Sequence, residues 1–377
     1  MALNERGIHE YYMRMALSFA RRGTGYVSPN PRVGCVIVDF TVPGGRVASY
    51  GYHKEYGSPH AEANAIETAK EPVAGMTAYV NLEPCYHTGR TPPCCDALIS
   101  SGISRVVIGM TDPDPRVSRG GASRLAAAGV SIVSPVLEDE CLYLNRGFVK
   151  RIVKGVPWVT IKAAMSLDGD IALADGRSKW ITSAPARRLA HMMRADSDLI
   201  MAGSGTIIKD DSLLSVRETD GRSPMKAVVD GNLDISPSAG VLDEACVIFT
   251  DASSSAEKAS ALEKRGARII RIRTDGKRHI PPVDILRELA AMGVNYVMIE
   301  GGAGLISSFL SSGQADEIFL FEAPKLMGNG IGVTRGLSVK SVNEALPVKD
   351  IRFKRVGGDI LLKGILSGET TPCSPGL

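Results

Sequence analysis

Aromatic residues are scarce: Trp, Tyr and Phe together make up 5% of 377 residues. A surface built mainly to stack nucleobases is therefore excluded. Net charge is nearly absent as well. Lys plus Arg against Asp plus Glu is 44 − 41 = +3, too balanced for a chain that depends on a strong basic field. No apolar run approaches the roughly 20 residues of a membrane-spanning helix; runs such as 106–108 and 318–321 are strand-sized. Met1-Ala2-Leu3-Asn4-Glu5-Arg6 places polar and acidic residues where the apolar core of a signal peptide would begin. A cytoplasmic location is expected.

The cysteines do not pair off. There are seven: Cys35, Cys85, Cys94, Cys95, Cys141, Cys246 and Cys373. An odd number without a secretory signal argues against a disulfide framework. Cys85, Cys94 and Cys95 fall close together, which in a reducing compartment reads as a metal-binding or catalytic cluster. The rest of the composition is ordinary. With 44% hydrophobic and 23% charged residues, wholesale disorder is excluded. At roughly 150 residues per domain the length suggests two or three domains.

Periodicity predicts alternating helix and strand. Tyr12, Met15, Ala16, Phe19 and Ala20 mark one face of a helix over 8–21, stopped by Gly23 and Gly25. The β-branched run 33–38 reads as a buried strand. Helices over 61–69, 94–101 and 120–128 alternate with strands over 77–82, 105–109 and 130–134. Residues 144–157 break the pattern with Arg146, Gly147, Lys150, Arg151, Lys154, Gly155 and Pro157, so a domain boundary is placed near 154–157. Beyond it strands are expected at 158–164, 199–203, 227–230, 247–250, 269–272, 296–299, 317–321 and 359–366. A helix capped by Thr182 or Ser183, with Pro185 in its first turn, runs to Asp196. Helices 256–265, 283–292 and 305–311 complete the series. No internal repeat is visible, and the tail 367–377 is expected to fray.

The sharpest feature is Pro59-His60-Ala61-Glu62 followed by Glu83-Pro84-Cys85 and Cys94-Cys95. One imidazole and two thiolates are ordinary zinc ligands, and three protein ligands leave a fourth position for water, the catalytic arrangement. Zinc makes hydroxide available at neutral pH, and a carboxylate close to the histidine can then shuttle protons without binding metal. Residues i and i+2 lie about 200° apart on a regular helix, so His60 and Glu62 converge only if His60 stands at the helix start. Cys94 also opens a predicted helix, where a thiolate is stabilised. Spacing alone leaves Cys94 and Cys95 both open as the second thiolate.

The layout resembles the H-x-E…P-C-x-x-C signature of zinc deaminases, with eight residues between the thiolates in place of two. The insert Tyr86-His87-Thr88-Gly89-Arg90-Thr91-Pro92-Pro93 is polar, and His87, Arg90 and Thr91 are candidates to hold a phosphate.

Together the motifs resemble the bifunctional riboflavin-biosynthesis deaminase/reductase family. In the first half they are Ser28-Pro29-Asn30-Pro31-Arg32-Val33-Gly34-Cys35, His60-Ala61-Glu62 and Leu82-Glu83-Pro84-Cys85…Pro93-Cys94. In the second they are Lys162-Ala163-Ala164-Met165-Ser166-Leu167-Asp168-Gly169, Trp180-Ile181-Thr182, Gly203-Ser204-Gly205-Thr206, Asp210-Asp211 and Glu300-Gly301-Gly302. The match covers residues 8–366.

The resemblance implies two α/β domains. The first, 1–154, would be a cytidine-deaminase-like three-layer α/β/α pyrimidine deaminase. The second, 155–366, would be a dihydrofolate-reductase-like NADPH-dependent pyrimidine reductase, followed by the flexible tail 367–377. It implies one Zn2+ on His60, Cys85 and Cys94, with Glu62 as proton shuttle and Asn30 against the substrate. In the reductase it implies substrate contacts at Ser178, Arg194, Leu214, Arg217 and Glu300. It implies NADPH contacts at Ala164, Trp180, Thr206, Asp210, Gly302, Ala303, Gly304, Leu305, Ile306, Ser307 and Ser308. The substrate would be a phosphorylated pyrimidine, with no nucleic-acid or membrane partner, and the chain is expected to form a homo-oligomer.

Two arginines suit a phosphorylated substrate because the guanidinium fork matches phosphate bidentately. Gly301-Gly302 before a helix would let a pyrophosphate approach bare backbone N–H groups. A Rossmann fingerprint is missing, since Ile208 stands where Gly203-Ser204-Gly205 would need its third glycine. Lys162 reads as an electrostatic aid or a strand-end lysine, and Arg187 and His191 as solvated or locally paired helix residues. Tyr86 and Ser212 depart from the family's Ser and Pro at those positions. A reductase with a vestigial deaminase half is disfavoured by the intact His60, Glu62, Cys85 and Cys94 set. A nucleic-acid deaminase is disfavoured by the low aromatic content and charge.

Overall fold

In a computed structural model, residues 4–87, 92–114, 120–274 and 279–366 are described. The chain divides into two units that meet in sequence between Lys154 and Gly155.

The first unit holds α1 (Glu5–Ala20), β1 (Gly34–Asp39), β2 (Arg46–Tyr52), α2 (Ala61–Glu67), β3 (Thr77–Leu82) and α3 (Cys94–Ser100). It continues with β4 (Arg105–Met110), α4 (Gly120–Ala127), β5 (Ser131–Val133), α5 (Glu138–Leu144) and α6 (Arg146–Lys154). The sheet order is β2-β1-β3-β4-β5. β1 pairs antiparallel with β2 and β3, while β3, β4 and β5 run parallel. Every residue of β1 and β3 is buried, as expected of strands covered on both faces.

Two glycines set the layer spacing. A Cβ at Gly34 would lie 2.1 Å from the Ala16 carbonyl oxygen of α1, and one at Gly51 would lie 2.4 Å from that of Ala61 in α2. Gly51 pairs with Cys35, the neighbour of Gly34, so the two contacts fall on opposite faces of the sheet. The unit is thus a three-layer α/β/α sandwich.

The second unit begins with β6 (Trp158–Ser166), β7 (Asp170–Ala172), α7 (Ala184–Ala195), β8 (Leu199–Gly203) and α8 (Ser204–Asp210). It continues with β9 (Met225–Val229), β10 (Cys246–Asp251), α9 (Ala256–Glu263), β11 (Arg268–Ile272), α10 (Pro282–Ala291), β12 (Tyr296–Gly301) and α11 (Ala303–Ser311). It closes with β13 (Glu317–Ala323), β14 (Ile331–Gly332), β15 (Lys349–Val356) and β16 (Asp359–Ile365). The sheet order is β11-β10-β9-β8-β12-β6-β13-β16-β15. The strands from β11 to β13 are parallel, and β16 and β15 add antiparallel. α10 and α11 cover one face through Leu286, Leu289, Ile306 and Phe309. On the other face α7 packs Ala186 and Ala190 on Phe321 and Leu361, and α9 packs Ala259 and Leu262 on Val228 and Ile248. Both units are α/β, the class expected.

Several elements differ from the sequence reading. Residues 146–154 are helix α6, not an irregular linker; Phe148 is buried while the four basic residues leave its other side polar. Strands β2 and β15 and helices α5 and α8 have no counterpart in the pattern. α11 begins at Ala303, two residues earlier than the pattern predicts.

Candidate active sites

In the first unit His60 is the residue that precedes α2, with extended backbone angles of φ −72° and ψ 168°. That break from helical geometry lets its imidazole converge with Glu62, which a continuous helix forbids. Cys94 is the first residue of α3, and Cys85 follows β3. One ligand atom from each of His60, Cys85 and Cys94 lies within 4.8 Å of the others. His60 Nδ1 stands 3.2 Å from Cys94 Sγ and 3.7 Å from Cys85 Sγ. Tetrahedral zinc needs ligand atoms roughly 3.3–3.8 Å apart, so this donor set fits the ion. Cys95 turns away, its thiol donating to the Pro84 and Gly121 carbonyls.

Electrostatics single out Cys85 as the readier thiolate. Hydrogen bonding from Cys94 and His60 holds the Cys85 thiol down to about 4, against its burial, while the same bond and burial push Cys94 up. Burial pushes Cys95 to about 12. Glu62 is 3% exposed, and burial, aided by Cys85, raises it to about 7. Glu83 is structural, its carboxylate accepting from the backbone N–H groups of Asp112 and Ala122.

Asn30 lies in a segment pinned by two asparagines. Asn81 and Asn145 both donate to the Arg32 carbonyl, and their side-chain oxygens accept from Gly34 and Arg32 N–H. A residue the sequence reading missed is His53, which is 2% exposed. Its Nδ1 donates to the Pro59 carbonyl at 3.2 Å and its Nε2 accepts from Asn30 Nδ2 at 3.0 Å. Burial lowers its pKa, so it stays neutral. No motif frames His53, and only its distance from His60 in space reveals it. Of the phosphate candidates His87 is described, against the Tyr86 ring. Arg90, Thr91 and Cys373 lie outside the described residues.

In the second unit a cavity of about 1110 Å³ opens at the carboxyl ends of β6, β8 and β12, where open α/β sheets place ligands. It is lined by Ala164, Ser178, Trp180, Arg194, Thr206, Asp210, Arg217 and Glu300, and by Gly302, Ala303, Gly304, Leu305, Ile306 and Ser308. Lys162, Arg187, His191 and Ser212 line it too. Two expected residues stand elsewhere. Leu214 is buried in the core beneath α8 and α9, and Ser307 is buried with its hydroxyl donating to the Arg335 carbonyl.

The cavity floor is a buried ionic triad. Glu300 takes both prongs of Arg194 and sits 3.7 Å from Lys162 Nζ. Burial alone would raise Glu300, but Lys162 and Arg194 hold it down to about 2. Burial lowers Lys162. The third Arg194 prong donates to the Ser215 carbonyl at 2.7 Å. Its fork is therefore already filled, and the expectation of a free phosphate fork at Arg194 is corrected.

A second correction concerns the Gly-Gly turn. Gly302 N–H donates to Thr206 Oγ1 at 2.8 Å, so it is not bare. Leu305 and Ile306 N–H both bond the Gly302 carbonyl, which leaves Ala303 and Gly304 as the donors at the head of α11. Those two N–H groups at a helix start fit a pyrophosphate-bearing nicotinamide cofactor.

Comparisons with known proteins cover both units. Residues 6–110 match the family described as the cytidine and deoxycytidylate deaminase zinc-binding region, and residues 157–362 match the RibD C-terminal domain. The chain is 38% identical to the riboflavin biosynthesis protein RibD of Aquifex aeolicus, covering 95% of this chain and 98% of that one. It is 37% identical to the RibD of Escherichia coli, covering 94% and 98%. Among solved structures, Acinetobacter baumannii RibD superposes with a TM-score of 0.86 at 32% identity, over 96% of this chain and 99% of that one. A Thermotoga maritima protein described as a diaminohydroxyphosphoribosylaminopyrimidine deaminase/5-amino-6-(5-phosphoribosylamino)uracil reductase gives 0.85 at 33%, over 96% and 100%.

Proposed function

The chain belongs to the bifunctional riboflavin-biosynthesis deaminase/reductase family, and from that premise we propose its substrates, cofactor and residue roles. The first unit hydrolyses the 2-amino group of 2,5-diamino-6-(5-phosphoribosylamino)pyrimidin-4(3H)-one. The second then reduces the ribosyl chain of 5-amino-6-(5-phosphoribosylamino)uracil to ribityl, with NADPH as donor. The observation that carries the bifunctional reading is the His60, Cys85 and Cys94 cluster with Glu62 buried beside it, on the same chain as the reductase cavity.

His60, Cys85 and Cys94 hold the zinc, which supplies an ionised water at neutral pH. Glu62 is not a ligand: its carboxylate takes a proton from water and returns it to the departing nitrogen, which leaves as ammonia. Asn30, braced by His53, contacts the pyrimidine. A nicotinamide held in the reductase cavity would supply the hydride that turns the ribosyl chain into ribityl. Ser178, Arg217 and Glu300 would hold the phosphorylated pyrimidine substrate; Ala164, Trp180, Thr206, Asp210 and the start of α11 would hold NADPH. Lys162 and Arg194 keep Glu300 ionised.

Among the described residues no helix is long and apolar enough to cross a membrane, and we place the enzyme in the cytoplasm. Edge strand β15 exposes Ile351 and Phe353, which supports a homo-oligomer. The test is zinc analysis together with ammonia release and NADPH oxidation on the diaminopyrimidine and on its deaminated product. Stoichiometric zinc with both activities is expected; reduction without ammonia release would leave only a reductase.

A further inference from the structure

Helix α7 carries Arg187, His191 and Arg194 at i, i+4 and i+7, one stripe of its surface, and all three line the cavity. Arg194 is fully engaged by Glu300 and Ser215. The other two are not. His191 is 6% exposed, and its Nδ1 stands 3.0 Å from the backbone N–H of Arg217. A backbone amide only donates, so Nδ1 is the acceptor and the neutral ring carries its hydrogen on Nε2. That Nε2–H finds no acceptor among the described residues.

Arg187 Nε is buried with no hydrogen-bond partner, and the Glu218 carboxylate, also on the cavity wall, stands 3.8 Å from it, within ion-pair reach but too far for a hydrogen bond. The rest of its guanidinium is held in place, Nη1 donating to the Thr182 carbonyl at 3.0 Å and the group lying 4.5 Å from the Trp180 ring centroid. The Arg217 guanidinium, on a residue tied to His191 by its own backbone, likewise has no side-chain bond among the described residues. Three donors without a hydrogen bond, two of them cationic, therefore stand on one wall, with Glu218 beside Arg187.

We propose that Arg187 and His191 join Arg217 in a clamp for the phosphomonoester of the pyrimidine substrate. This rests on the reductase reading above. Charge-assisted donors of this kind match a phosphate dianion. The cofactor also brings phosphates, but the backbone donors that suit them stand at the head of α11, on the opposite face of the sheet from α7. The cofactor contacts on the α7 side, Ala164 and Trp180, offer no phosphate donor but an apolar surface and a ring. The α7 wall is thus assigned to the substrate.

The test is steady-state NADPH oxidation with 5-amino-6-(5-phosphoribosylamino)uracil and with its dephosphorylated counterpart, using parent, Arg187→Ala and His191→Asn. His191→Asn keeps an acceptor for the Arg217 N–H and removes the Nε2 donor. Each variant should raise KM for the phosphorylated substrate about ten-fold or more, leave KM for the dephosphorylated one near the parent value, and leave KM for NADPH unchanged. Equal losses on both pyrimidines, parent-like behaviour of His191→Asn, or a shift in KM for NADPH instead would each overturn the clamp while the reductase reading stands. Failure of the parent to oxidise NADPH with either pyrimidine would remove the reductase reading and the clamp with it.

Discussion

The two sites are built by different rules. The candidate zinc cluster gathers around two helix starts, His60 before α2 and Cys94 opening α3, with Cys85 brought in just after β3, so short local segments nearly complete it. The reductase floor joins Lys162, Arg194 and Glu300, each on a different element, and Glu300 is 106 residues from Arg194. One site is written in spacing and the other in topology. A metal cluster tolerates this because its donors need only meet at a point. A buried ionic triad must also balance its desolvation, which depends on everything packed around it.

This contrast can be broken by substitution. The largest effect is expected from Cys94→Ala: zinc and ammonia release are both lost while NADPH oxidation on the deaminated substrate stays at the parent rate. Metal analysis alongside the two assays checks it, and parallel loss of reduction would erase the contrast. Glu62→Gln should lower deamination by about 10²–10⁴-fold with zinc retained. Loss of zinc in that variant would make Glu62 a ligand.

In the reductase, Glu300→Gln strands Lys162 and Arg194 and should cost about 3–5 kcal/mol in denaturant unfolding. The pH dependence sharpens this. Glu300 is depressed to about 2 from an ordinary 4.5, so its contribution is complete above pH 4.5 and lost as pH falls toward 2. That loss amounts to about 3 kcal/mol, and Glu300→Gln should lack it. The smallest effect is Arg217→Ala, which should raise the reductase KM for its phosphorylated pyrimidine about ten-fold with kcat unchanged. An unchanged KM would remove Arg217 from the substrate.

How much is legible in the sequence follows from the same contrast. The buried strands β1, β3 and β4 read as apolar runs because helices or neighbouring layers cover both faces. The edge strands β2 and β15 do not, since Arg46, Ser49 and Tyr50, or Lys349, Asp350, Arg352 and Lys354, lace them with polar groups. Helix α6 reads as a linker because its basic residues and Gly147 outweigh the short apolar stripe of Phe148 and Val149. Around the candidate zinc cluster the motif names His60, Cys85 and Cys94 but not His53, whose contacts arise only where the chain leaving β2 meets Pro59. In the reductase, residue types are available from the resemblance, yet the filled fork of Arg194 and the capped Gly302 depend on tertiary partners that no local pattern specifies.

Gly51 has a wider consequence. A machinist locates a part by pressing it against a reference plane, and here β2 is the plane and α2 the part. The absence of a single carbon at position 51 fixes how far the helix stands off, and with it where the imidazole and carboxylate at its head come to rest. A methyl group there would leave every catalytic residue in place in the sequence while moving the whole helix outward from the sheet. Gly34 gauges the opposite face in the same way, but α1 carries no ligand of the cluster, so the same added carbon would be felt there as strain alone. The sheet is thus the instrument against which the chemistry is aligned, and its glycines are the calibration marks.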